Sequence, residues 1–468
     1  MDTLTSGAFL VAFVLLMGAS NTVVGLLVAI SPLTQLFQVP AIYVTDRASS
    51  RKALVVLSSF LSRISWLVVA IIPWLVPSQQ RVGVLVVCLF FYFGLATLSA
   101  CGFNPWIRDF VPEKIMGRYF GKRMAIGTAA ASVLALLAGV GIELGKWYVP
   151  NQFVPYSVLF LLGGSIGLSG VYFLSQIPDS KTTTHRPEGM VESLGQPFRD
   201  HNFRRLLVFL GILFFAINLS GPFYAVYMIK QLDMSMALVI GLAVVSQMMS
   251  VISFHFWGKA ADNLTNKSVL LVSGYIYIVS VLIWPFLLIS DNYFFMIPVL
   301  VIVHMLTGVS IAGVNLCTAN IALMAAPRGD ATSFLAVNTI VHGVTAAAAP
   351  ILGGIIADNL TGDHLPLIQN WLLTHFGALL ELAFSHLLGV QTLFFLTAII
   401  GLYSMRRLRK VHEEGEVEAK IVVAHLWAEA RKDGRSVFSS AVFWRLPGLP
   451  PAPAGETVRN PRAPLGND

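Results

Sequence analysis

Thr45-Asp46-Arg47-Ala48-Ser49-Ser50-Arg51-Lys52 and Gly258-Lys259-Ala260-Ala261-Asp262-Asn263-Leu264-Thr265-Asn266-Lys267 are two short charged links, each set between long apolar runs. Asp262 follows Asp46 by 216 residues, close to half the chain. A polar turn repeated at that distance is the mark of a duplicated membrane bundle.

Composition agrees. Of 468 residues, 56% are hydrophobic and 12% charged, and the mean hydropathy is +0.74. A soluble domain carries about 25% charged residues, so lipid is the main solvent here. The net charge of +7 is spread over loops with no basic-aromatic patch, which argues against nucleic acid as a partner. Cys88, Cys101 and Cys317 lie in apolar runs without a Cys-x-x-Cys pair, so they read as packing residues. We expect no disulfide, metal site or cofactor.

Twelve apolar segments follow, near 5–20, 22–44, 53–76, 82–104, 124–148, 154–176, 206–228, 236–257, 269–290, 294–318, 332–357 and 389–405. A span of about 30 Å needs about 20 helical residues, and barrel strands are shorter. The expected fold is therefore an all-α integral membrane protein of twelve transmembrane helices in two pseudo-symmetric six-helix bundles. The loops at 45–52, 105–123, 177–205, 258–268 and 319–331 hold sixteen Lys and Arg, against three in the opposite loops. The positive-inside rule puts the first set and both termini in the cytoplasm, with the chain in the cell (plasma or inner) membrane. The expected units are 1–176, a linker at 177–205, a second bundle at 206–410 and a tail at 411–468. That tail reads as a helix over 411–433 and as disorder beyond Pro447. The segment at 359–388 reads as an amphipathic stretch on the outer interface.

The duplication holds a register. Ser6-Gly7-Ala8-Phe9 matches Ser220-Gly221-Pro222-Phe223, Asp46 matches Asp262, and Gly102-Phe103-Asn104 matches Gly313-Val314-Asn315. On these residues the chain resembles the major facilitator superfamily, which carries a Gly-x-x-x-Asp-Arg-x-Gly-Arg-Arg/Lys turn after its second helix and a fainter copy after its eighth. The first turn keeps Asp46, Arg47 and Arg51; the second keeps Gly258, Asp262 and Lys267. Ile42, Ser49 and Ser50 depart from the pattern. By the same register, segment one has five residues before its Ser-Gly pair and segment seven has fourteen. The difference spans about 14 Å of helix, so a start upstream of Met1, or a shortened variant, is expected.

The resemblance implies roles. The turn aspartates would cap a neighbouring helix and pair with basic residues, closing an inner gate built from Asp46, Arg47, Arg51, Gly258, Asp262 and Lys267, with Asp109 on the same side. Asn104, Asn218, Asn315 and Asn338 are candidates for lining a substrate cavity. Asn218 precedes Gly221-Pro222, where a proline removes a backbone donor. His304 and His342, each ten residues into an apolar segment, are candidates for proton coupling, and Arg63 is a buried charge with a structural role.

No phosphate loop, zinc spacing or nucleophile–base cluster is visible, so no catalytic residue is assigned and an enzyme is not expected. The drug-antiporter Gly-x-x-x-Gly-Pro pattern is missing from segment five. The expectation is a monomeric secondary carrier moving a small-molecule substrate through the lipid bilayer, driven by a proton or other ion gradient. A receptor or scaffold, or a lipid flippase on the same fold, is the alternative.

Overall fold

The computed structural model describes residues 1–47, 50–108, 113–179, 195–289, 293–326, 331–359 and 390–413. These belong to one compact unit, Met1–Val422; a second unit, Val423–Asp468, lies outside the described residues. So do the stretches expected to be an amphipathic segment and a helical, then disordered, tail, apart from 411–413.

Every regular element among the described residues is helical. In the first half these are α1 (Asp2–Thr5), α2 (Gly7–Leu16), α3 (Asn21–Gln35), α4 (Gln38–Arg47), α5 (Arg51–Leu75), α6 (Arg81–Arg108), α7 (Glu113–Tyr148) and α8 (Phe153–Ser175). In the second half they are α9 (Gln196–Arg199), α10 (His201–Ser220), α11 (Phe223–Lys230), α12 (Met236–Asn263), α13 (Asn266–Ile283), α14 (Tyr293–Ala325), α15 (Ala331–Asn359) and α16 (Val390–Leu408), with a 3-10 turn over Trp284–Ile289. As far as the described residues reach, each of the twelve apolar segments falls on one of these helices, on a consecutive pair, or on α13 with the 3-10 turn. Nine spans among the described residues are long and apolar enough to cross a membrane. Trp74, Trp147, Tyr148, Phe294 and Phe295 stand exposed at helix ends, where aromatic rings favour the lipid–water boundary.

The two charged links are shorter than their sequence suggests. Thr45-Asp46-Arg47 completes α4, and Gly258 to Asn263 completes α12. An apolar run ends where lipid ends, while the backbone ladder continues into water for another turn or two. What remains is capped locally. Ser50 accepts from the Ala53 N–H at 3.0 Å and Thr265 from the Ser268 N–H at 3.2 Å. These two caps lie 215 residues apart and open α5 and α13.

The register persists in packing. Within the first half α5 packs on α6 and α8, and α3 on α6; within the second, α13 packs on α14 and α16, and α12 on α14. Phe13 meets Phe160 edge-on at 4.9 Å. Tyr227 meets Phe394 the same way at 5.5 Å. Polar seams tie helices inside the apolar layer. Ser59 on α5 and Ser99 on α6 share a buried hydrogen bond of 2.6 Å. Ser59→Ala is expected to cost about 1 kcal/mol, read as a fall in melting temperature of the detergent-solubilised protein; an unchanged melt would exclude the seam as a stabilising element.

Candidate functional site

Two helices are broken at matched places. The chain turns extended at Ser6, between α1 and α2. At Gly221-Pro222, between α10 and α11, the dihedrals stay helical while the helical hydrogen-bond ladder is interrupted. Gly7 takes φ +60°, a conformation that glycine adopts without steric cost. Pro222 removes the donor that would have continued α10. The Ser-Gly pairs that set the register are therefore pseudo-symmetric helix breaks. Around them lies a cavity of about 280 Å³, with Gly7, Val14, Val28, Asn218, Gly221 and Pro222 in its wall. Its lining comes from both halves and is apolar except for Asn218. That side chain donates from Nδ2 to the Phe214 carbonyl at 2.8 Å.

A second, larger cavity of about 830 Å³ has Ser6 in its wall, the residue before Gly7 of the first. It runs between α3, α4 and α6 toward Arg51, and Ser31, Gln35, Gln38, Thr97, Tyr92 and Asp2 supply polar groups. The Tyr92 hydroxyl donates to the Asp2 carboxylate at 2.7 Å. Hydroxyls and amides dominate its polar wall, a set that can bind neutral hydrogen-bonding groups without the desolvation cost of a buried charge.

The halves close on each other at the end bearing the 17–20, 76–80 and 231–235 turns, called here the Arg81 end. α3 packs along α15, and α7 along α12. Glycines permit the approach. A Cβ on Gly354 would stand 2.6 Å from Thr22 Cα, and one on Gly139 3.3 Å from Ala237 Cα. Both contacts obey the 215-residue register: Gly354 follows Gly139 as Ala237 follows Thr22. Asp358 adds a carboxylate that accepts from the Asn21 and Thr22 N–H groups at 2.9 and 2.7 Å.

At the opposite, Arg51 end, a carboxylate caps the first turn of α5 and of α13. Ser50 Oγ donates to Asp179 at 2.5 Å and the Lys52 N–H at 3.3 Å. Glu413 accepts from the Asn266 N–H at 3.2 Å, Asn266 Nδ2 at 3.0 Å and the Lys267 N–H at 2.6 Å. Asp179 and Glu413 each follow the last helix of their half, and an anion there meets unsatisfied N–H groups and the positive end of the helix dipole. Lys267 is buried and donates from Nζ to the Val411 carbonyl at 2.8 Å, near the C-terminus of α16.

The residues singled out from sequence divide as follows. Asn218 lines the central cavity and Arg51 the polar one. Asn315 is exposed on α14. Asn338 is half-buried on α15, its Oδ1 without a hydrogen-bond partner. His304 is buried; its Nδ1 bonds the Leu300 carbonyl at 2.8 Å and its ring packs on Trp284. His342 packs edge-on against Phe214 at 4.2 Å. Neither histidine is in the wall of the two cavities. Arg63 bonds Ser59 O and Ser62 Oγ of its own helix. Gly258 faces open space. The side chains of Asp46, Arg47, Asn104 and Asp262, and all of Asp109, lie outside the described residues. Sequence reading missed Asp179, Glu413 and Asp358. For Asp179 and Glu413 the available signal was an acid just past the last helix of each half, at 234 rather than 215 residues' spacing because of the 359–388 segment; Asp358 had none.

The sequence profile of the Major Facilitator Superfamily matches residues 1–350. No curated protein sequence matches the chain. Among solved structures similar to it, the nucleoside transporter NupG superposes with a TM-score of 0.65 at 11% identity, covering 87% of this chain and 94% of that one. A bacterial homologue of the human lysosomal transporter Spinster, inward-facing and unoccupied, gives 0.59 at 14%, covering 88% and 92%. The xylose transporter XylE from E. coli, inward open, gives 0.58 at 12%, covering 87% and 90%. With that profile match across three quarters of its length, and with paired helix breaks about a central cavity, the chain belongs to the Major Facilitator Superfamily and is a multi-pass membrane protein.

Proposed function

We propose that the protein is a secondary carrier that moves a small organic solute by alternating access. The observation that carries this reading is the pair of broken helices facing one central cavity, closed at one end by matched crossings. Residues 1–176 and 206–410 act as the rocking halves, joined by 177–205. The solute is a neutral or amphipathic molecule with hydrogen-bonding groups. Asn218 meets it in the central cavity, and Gln35, Gln38 and Thr97 meet it in the polar one. The Arg51 end faces the cytoplasm of the cell membrane with both termini, in keeping with its excess of Lys and Arg. Asp46, Arg47, Arg51, Gly258, Asp262, Lys267 and Asp109 form the gate at that end. A proton or other ion gradient supplies the drive, with His304 and His342 as the candidate titrating groups, and the working unit is a monomer.

The test begins with purified protein screened by thermal shift against metabolites and drugs, since a ligand at 100 times its Kd stabilises by about 2.7 kcal/mol. Hits are then assayed for flux in liposomes. Solute flux supports the carrier; lipid exchange alone, or neither, removes it. With a transported solute in hand, Asp46→Asn is expected to slow turnover at unchanged expression, and wild-type turnover in that variant would remove Asp46 from the gate.

A further inference from the structure

We infer that Asp358 is the latch that holds the Arg81 end closed, and that its release from α3 is the step that opens that end. This inference rests on the carrier reading above. Asp358 sits one residue from the end of α15, in the second half of the chain. Its carboxylate accepts three hydrogen bonds from the first half: the Asn21 N–H at 2.9 Å, the Thr22 N–H at 2.7 Å and the Thr22 hydroxyl at 2.6 Å. Asn21 and Thr22 open the fifteen-residue helix α3. Their N–H groups have no partner within that helix, and its dipole is positive there. Bonds to an ionised acceptor are about twice as strong as neutral ones. The contact joins residues more than 330 positions apart and exists only while α3 and α15 lie together. Gly354, one turn before Asp358, brings them together by packing on Asn21 and Thr22.

Among the described residues the matched crossing shows no such bond. The register places Glu143 of α7 where Asp358 stands in α15, beside the first turn of α12. Glu143 instead pairs with Lys146 on its own helix at 3.3 Å. Ser235 caps α12 by accepting from the Leu238 N–H just as Ser20 caps α3 by accepting from the Val23 N–H, so the carboxylate is what sets α3 apart. Among the described residues, one crossing thus closes by packing, while the other closes by packing and a carboxylate bond between halves. Opening the Arg81 end costs the α3–α15 crossing three hydrogen bonds between halves. Asp358 is a positioning residue of the transport cycle and need not touch solute.

Spin-label distances test this on the full chain in phosphatidylcholine nanodiscs, in a background carrying Cys88→Ser, Cys101→Ser and Cys317→Ala. Labels at Gln80→Cys and Asn359→Cys report the Arg81 end; labels at Gln176→Cys and Arg204→Cys report the other. The parent is expected to show a short and a long distance at the first pair. Asp358→Asn raises the long-to-short ratio about ten-fold, as expected for loss of a charge-assisted contact between halves. Thr22→Val, which keeps both N–H bonds, raises it about three-fold. A ratio within two-fold of the parent in both variants overturns the latch alone. Should Asp358→Asn fail to fold, Thr22→Val decides by the same criterion. A parent with one fixed distance at both ends removes the carrier reading and the latch together.

Discussion

Gly25→Leu is expected to prevent closure of the Arg81 end and to destabilise the protein by about 3 kcal/mol, the upper range for overpacking. A Cβ at Gly25 would overlap the carbonyl oxygen of Pro350 and stand 2.7 Å from its carbonyl carbon and 3.2 Å from Ile351 Cα. All three are backbone atoms of a helix in the other half. A flexible side chain can swing aside, whereas a packed helix can only be pushed away as a body. Separating α3 from α15 by even about 2 Å would carry Asp358 beyond the 2.6–2.9 Å at which it holds Asn21 and Thr22, past hydrogen-bond range. The substitution therefore removes packing and the latch together, so its effect exceeds that of Asp358→Asn. The measurement is a thermal melt followed by tryptophan fluorescence, alongside the Gln80–Asn359 distance. Gly83→Leu is the control, since a Cβ at Gly83 meets nothing within 4 Å. Equal melts for the two leucine variants would show that the α3–α15 crossing does not depend on glycine.

Glu413→Ala should cost about 3 kcal/mol, and Asp179→Ala less than about 1 kcal/mol. Both acids cap the first turn of a long helix, but in different surroundings. Glu413 is partly buried and accepts three bonds, one of them from the N–H of buried Lys267. Removing it leaves donors at Asn266 and Lys267 that are sheltered from water, and such donors cost their full desolvation. Asp179 is exposed, so water replaces it at the first turn of α5, where Ser50 already supplies a cap. Melting temperatures of the two variants, taken under one set of conditions, check the difference. Similar losses would mean that burial does not set the strength of these caps.

The parts of this molecule that could be read from its residues are those set by solvent. Twelve apolar runs separated by polar turns are what a bilayer demands of a helical chain, and the runs fall on single helices or on consecutive pairs. The Ser-Gly register also carried through to helix breaks, capping residues and aromatic contacts, because duplicated halves repeat local backbone needs: glycine for a positive φ at Gly7, proline at Pro222, a hydroxyl before α5 and α13. The helix ends were less legible. Asp46 and Asp262 stand in the last turns of helices rather than in loops, since hydropathy reports where lipid stops and the hydrogen-bond ladder does not stop with it.

What could not be read was which groups from distant parts of the chain would meet. Asn218 was found because a local signal, the proline four residues on, marked its helix as softened. Asp358 carries no local mark, and its meaning comes from Asn21 and Thr22 in the other half. Asp179 and Glu413 are ordinary acids after a helix until folding sets them on α5 and α13. Gly25 and Gly354 read as two more glycines in apolar helices until α3 and α15 cross. Composition and periodicity record how each segment meets its solvent, one segment at a time. The closed end, the caps and the cavity walls depend on pairs of segments, and only the folded bundle brings those pairs together.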